Sequence, residues 1–120
     1  MNLLAVAAGI LIVTTGAIHS VLGERKLLRP LMGGGAFTAA PRAGRAVRFT
    51  WHLATLLMVL TALTVAWPGT PLPIVVLIGV AYLALGLLSL WMTKGRHISG
   101  PMFATAGLFA LAAPLIGGEA

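Results

Sequence analysis

Four apolar runs limit what this chain can become. They cover roughly residues 2–22, 47–67, 72–92 and 99–116. Each is about 18–21 residues long, which suits a helix crossing a hydrocarbon core of about 30 Å at about 1.5 Å rise per residue. Only 8% of the 120 residues are charged, about a third of the share usual in soluble domains. Too few charges exist to build a water-facing surface, so lipid must solvate most of it. The sequence therefore predicts an all-α fold: a single domain, residues 1–120, forming a four-transmembrane-helix bundle that runs up-down-up-down.

The breaks between the runs are legible. Gly23 and the GGG at 33–35 end the first and open a long loop over about residues 23–46. WPGTPLP at 67–73 is a tight Pro/Gly turn, KGRHISGP at 94–101 separates the third run from the fourth, and Pro114 precedes the closing GGEA. In the long loop, ERKLLRPL interleaves Leu27, Leu28 and Leu31 with cations, the pattern of a short helix lying in the membrane interface. GGGAFTAAPRAGR reads as irregular. The first run lacks a basic flank ahead of it and is longer than a cleavable leader, so it reads as a retained span.

All eight Lys and Arg lie beside two of the three connections. Arg25, Lys26, Arg29, Arg42, Arg45 and Arg48 flank the first, and Lys94 and Arg96 lie in the third. The positive-inside rule then places loops one and three in the cytoplasm of a bacterial inner (plasma) membrane and both termini outside. This placement accounts for the net charge of +6 without nucleic acid. Anionic lipid headgroups at the first loop are the partner it suggests. A membrane-protein partner or a homo-oligomer is the other.

Small residues mark interior faces in membranes, because lipid supplies no hydrophobic drive between helices. Ala5, Ala8, Ile12, Gly16 and His19 form such a stripe on the first run. His52, Thr55, Val59, Ala62 and Ala66 do so on the second, Gly79, Gly86 and Thr93 on the third, and Ser99, Phe103, Ala106, Ala110 and Ala113 on the fourth. Leu53, Leu57, Leu60 and Leu90 face lipid on this reading. Tyr82 falls mid-span and is expected to hydrogen-bond a neighbouring helix. Thr14, Thr15, Thr61 and Thr64 are expected to bond their own helix backbones.

These stripes carry the chemistry to one end. His19, His52 and His97 share a membrane layer with Glu24, Arg48, Trp51, Trp91, Arg96 and Ser99, whereas Glu119 is the only titratable group towards the other end. His19, Glu24, His52 and His97 are donors suited to a transition metal. Two of the three imidazoles can instead serve as axial ligands of a b-type haem between helices. Either group can support redox or hydrolytic chemistry, so whether the chain is an enzyme stays open. Alternatively His and Glu relay protons, or Glu24 is an ion pair with Arg45 or Arg48 that fixes the loop, and Arg48 and Trp51 are interface anchors. Two further alternatives are a non-catalytic subunit or assembly factor, and a small transporter or lipid-binding module.

Other classes are excluded. There is no cysteine, hence no disulfide or thiolate chemistry. The P-loop, Rossmann, HExxH and GxSxG signatures are missing. The chain resembles the small multidrug-resistance exporters in size and span count only, because its first run has no acid before Glu24. The HSxxGE pattern (His19, Ser20, Gly23, Glu24), the WH pair (Trp51, His52) and GRH (Gly95, Arg96, His97) resemble a group of small bacterial inner-membrane proteins of uncharacterised function. That resemblance implies no activity, cofactor or partner.

Overall fold

The structure, a computed structural model, describes residues 2–116; Glu119 lies outside the described residues. Helix α1 (Leu3–Gly23) starts at Asn2, whose side chain accepts hydrogen bonds from the backbone N–H groups of Leu4 and Ala5 at 3.0 and 3.3 Å and so satisfies two donors that a helix start leaves open. Helices α2 (Arg29–Met32) and α3 (Gly35–Ala39) are short. Helices α4 (Pro41–Ala66), α5 (Leu72–Thr93) and α6 (Ser99–Ile116) complete the chain, with proline in the first turn of α4 and of α5, where its missing N–H costs nothing. No strand occurs among the described residues. Four helices are long and apolar enough to cross a membrane.

The first connection departs from the sequence reading. α1 does not stop at Gly23 but continues through a π-helical segment, Glu24–Leu28, into α2. ERKLLRPL is thus helical as an extension of the span rather than as a separate helix, with the wider π-helical turn, closed by the Arg29 N–H on the Glu24 carbonyl, placed just before Pro30, which has no N–H to donate. The GGGAFTAAPRAGR stretch, expected to be irregular, contains α3 and the first turns of α4. These pieces pack on one another. Leu28 is buried, and Gly44 is buried against Met32 and Phe37.

The helices form a ring in which α1 packs on α4 and α6, and α5 packs on α6. The interior is built from the expected small-residue faces: Ala5, Ala8 and Ile12 of α1, Ala62 of α4, and Ala106, Ala110 and Ala113 of α6 are all buried. Leu53, Leu57 and Leu60 are exposed as expected. Leu90 instead packs against Gly100. α5 and α6 approach closest. A Cβ placed on Gly86 would stand 2.3 Å from the Ala104 nitrogen, and one on Gly107 would stand 2.4 Å from the Leu83 nitrogen.

α4 and α5 share the thinnest seam of the ring. They are joined by a hydrogen bond between Thr61 Oγ1 and Tyr82 Oη at 2.7 Å, with Val65 and Val75 in the core nearby. Tyr82 thus meets a neighbouring helix as its sequence position suggests. Removing the phenolic hydroxyl with Tyr82→Phe is expected to cost about 0.6 kcal/mol and at most about 1.7, the range for hydrogen bonds between membrane helices. A double-mutant cycle with Thr61→Val in detergent unfolding measures it.

Candidate functional site

The end of the molecule near the first and third connections carries two distinct polar constellations. The first is a seam between α1 and α4 with Glu24 at its hub. Ser20 and Glu24, four residues apart, lie on one face of the helix and both reach His52 of α4. Ser20 Oγ is 2.8 Å from His52 Nδ1, and Glu24 Oε2 is 3.3 Å from His52 Nε2. The other carboxylate oxygen, Oε1, lies 3.0 Å from Arg48 Nη2 and 3.6 Å from Arg29 Nε. An ionised carboxylate only accepts, so His52 Nε2–H donates to Glu24 and Nδ1 accepts from the Ser20 hydroxyl. Both ring nitrogens of His52 are therefore committed to protein partners.

The ion pair expected of Glu24 is present, with Arg48 and not Arg45. Its energetic weight is modest. The Arg48 side chain is 44% exposed, and pairs open to solvent contribute about 0–1 kcal/mol. The seam is a latch that fixes the register of α1 against α4, and Ser20, overlooked as a partner in the sequence, is half of it.

The second constellation is a cleft of about 480 Å³ walled by α1 and its π-helical continuation, by Trp51 of α4, and by the third connection with the start of α6. His19, Lys26, Trp51, His97, Ser99 and Phe103 are among its lining residues. Trp51 shapes it. Its indole lies against Gly23, donates from Nε1 to the His19 carbonyl oxygen at 3.1 Å, and stacks on the His19 ring at a centroid distance of 4.2 Å with an interplanar angle of 5°. A glycine at 23 is required by this approach, because a Cβ there would stand 2.4 Å from the indole. The His19 ring is thereby held in place, yet its buried Nε2 has no hydrogen-bond partner.

His97 lies at the exposed rim. The Ser99 backbone N–H donates to His97 Nδ1 at 3.2 Å, so this nitrogen is an acceptor and the Ser99 hydroxyl, 2.6 Å away, donates to it as well. Ser89 Oγ in turn lies 3.0 Å from Ser99 Oγ. His97 Nε2 then carries the ring proton.

The structure thus brings all three histidines to one end but divides them. His52 and Glu24 belong to the latch, His19 and His97 to the cleft. Among the described residues, no three His, Cys, Asp or Glu side chains come together in a group that could hold a metal ion. Arg48 serves the latch, Trp51 and Ser99 serve the cleft, and Arg96 is exposed in the third connection with no carboxylate partner among the described residues. Gly23, Lys26 and Phe103 acquire site roles that sequence spacing does not reveal for Gly23 and Lys26. Only the period of its helix pointed to Phe103. No protein-family model matches the chain, and no curated protein and no solved structure is similar to it.

Proposed function

We propose that this is a small multi-pass protein of a bacterial inner membrane, up-down-up-down with loops one and three in the cytoplasm and both termini outside, that binds a b-type haem in the cleft beside His19. The observation that carries this reading is the His19 ring, which lines a cleft of about 480 Å³, is fixed by stacking on Trp51, and has a buried Nε2 with no hydrogen-bond partner. That volume is within the range of about 300–1,000 Å³ typical of cofactor and small-ligand sites. The apolar wall suits a macrocycle, and Lys26 suits its carboxylates. A single proximal imidazole is sufficient to hold haem iron. His52 has no free nitrogen, and His97 Nδ1 is tied to Ser99, so His19 is the ligand the arrangement favours. A bare transition-metal ion belongs to the same donor chemistry but asks for more ligands than one free imidazole.

The test is the absorbance spectrum and metal content of protein purified without a histidine tag. About one haem per chain is expected, lost in His19→Ala and retained in His52→Ala. A folded, colourless and metal-free wild-type protein would sink this reading and favour a second one. In that second reading the chain is a non-catalytic subunit, or one copy in a homo-oligomer, and the thin α4–α5 seam receives a helix from the partner. Its sign would be co-purification with that partner.

A further inference from the structure

The helical extension of the first connection carries cations beyond those of the latch, and of these only Lys26 also lines the cleft. The molecule is 59 Å long, whereas a bilayer measures about 30 Å across its hydrocarbon and about 40–45 Å with its headgroups. α5 and α6, with 22 and 18 residues, span about 33 and 27 Å at about 1.5 Å per residue and match the hydrocarbon. α1 with its continuation reaches 30 residues and α4 reaches 26, which is about 45 and 39 Å. The surplus lies at the first connection. Trp51 and Trp91 mark the interface there and Trp67 marks the opposite one, as aromatic belts do. Residues 24–48 therefore rise through the headgroup layer as a packed helical hairpin.

The hairpin holds six cations and one acid, a net charge of +5 (6 − 1). The structure sorts the cations into two sets. Arg29 and Arg48 are within ion-pair distance of Glu24. Arg25, Lys26, Arg42 and Arg45 are exposed and have no carboxylate partner among the described residues. Leu27, Leu31 and Phe49 are exposed beside them, Phe49 at 67%, and suit the acyl boundary below the headgroups. We infer that Arg25, Lys26, Arg42 and Arg45 form a binding surface for anionic phospholipid headgroups, and that Arg29 and Arg48 do not belong to it. Charge complementarity identifies the occupant. Four unpaired guanidinium and ammonium groups at headgroup depth meet a dense layer of phosphate, and each cation near such a surface adds about fivefold to the attraction.

The test uses the full chain with Trp67→Phe, so that the remaining tryptophans, Trp51 and Trp91, both report on this end. The protein is placed in phosphatidylcholine vesicles containing either chain-brominated phosphatidylglycerol or chain-brominated phosphatidylcholine, and tryptophan quenching is compared at low salt. Preference for phosphatidylglycerol is expected to be at least about fivefold, to fall toward unity as added salt screens the charges, and to lose most of its size in the Arg25→Gln/Lys26→Gln/Arg42→Gln/Arg45→Gln variant, where Lys94 and Arg96 of the third connection supply the remainder. It should survive in Arg29→Gln/Arg48→Gln, even if that variant loosens the latch. Equal quenching by the two lipids, or a preference unchanged in the fourfold variant, overturns the proposal. Loss of the preference on adding inorganic phosphate at constant ionic strength also overturns it, in favour of a site for a free anion. The circular dichroism of each variant shows whether its four helices persist, and a fourfold variant that unfolds is replaced by the two paired variants, Arg25→Gln/Lys26→Gln and Arg42→Gln/Arg45→Gln, each of which should lower the preference.

Discussion

Gly86→Ala is expected to destabilise the protein by about 2–3 kcal/mol, the upper part of the range for overpacked interiors. The new Cβ would stand 2.3 Å from the Ala104 nitrogen and 2.7 Å from its Cα. Both are backbone atoms, so no side chain can swing aside, and α5 and α6 must separate along their length. In an exposed helix the same change gains about 1 kcal/mol of helix propensity, which is too little to offset the lost packing. Gly35→Ala is the control. Nothing lies within 4 Å of its Cβ, so its stability should stay within about 0.5 kcal/mol of wild type or rise slightly. Detergent-titrated unfolding followed by circular dichroism measures both, and an unshifted midpoint for Gly86→Ala would mean that α5 and α6 do not pack as closely as described.

Gly23→Ala should act differently, with a smaller effect on stability and a larger one on the cleft. Here the Cβ meets the Trp51 indole, a side chain that can move. Moving it breaks the Trp51 Nε1–H bond to the His19 carbonyl, worth about 1 kcal/mol, and the His19–Trp51 stack, worth about 0.5–1.5 kcal/mol. The sum predicts a loss of about 1.5–2.5 kcal/mol in a protein whose helices remain in place. A ligand held on the His19 side should lose at least about tenfold in affinity, since about 1.4 kcal/mol suffices for that. Tryptophan emission in Trp67→Phe/Trp91→Phe, with and without Gly23→Ala, reads the indole directly. Unchanged emission and unchanged haem retention would show that Trp51 does not shape the cleft.

Much of this architecture was written in the order of the residues. The four spans follow from run length and from the absence of charge, which few alternatives can satisfy. The interior faces of α1 and α6 follow from small residues at helical spacing, and Ala5, Ala8, Ile12, Ala106, Ala110 and Ala113 are buried accordingly. Helix α4 was less legible, because Val65 rather than Ala66 is fully buried, and adjacent positions on a helix cannot be ranked without knowing the crossing of its neighbours. Gly100 and Gly107 were overlooked beside the alanines of α6, although they make closer approaches to α5. Composition shows that a glycine is there but not which helix comes near it.

The site was legible only to the level of its layer. Helical spacing placed His19, His52 and His97 at one end, but spacing along separate helices does not report how each is rotated. His52 faces Ser20 and Glu24, and His19 faces away from them onto the indole. The difference is one of azimuth, fixed by packing on glycines such as Gly23. The continued helix after Gly23 was missed for a related reason. A charged, leucine-bearing stretch has no property that separates an interfacial helix from one extending beyond the membrane.

The thin seam between α4 and α5 has a consequence for how the chain holds together. Only these two consecutive helices have a tight covalent turn across a poorly packed boundary, while α1 and α6, at opposite ends of the sequence, are well packed neighbours, with the Asn2 side chain donating to the Ala113 carbonyl across 111 positions. The thread and the packing thus follow different orders. In effect the protein is two helical halves, α1 to α4 and α5 to α6, glued by the surfaces of the first and last helices, with only WPGTPLP, the Thr61–Tyr82 hydrogen bond and a small apolar contact at Val65 and Val75 to join them across the thin seam.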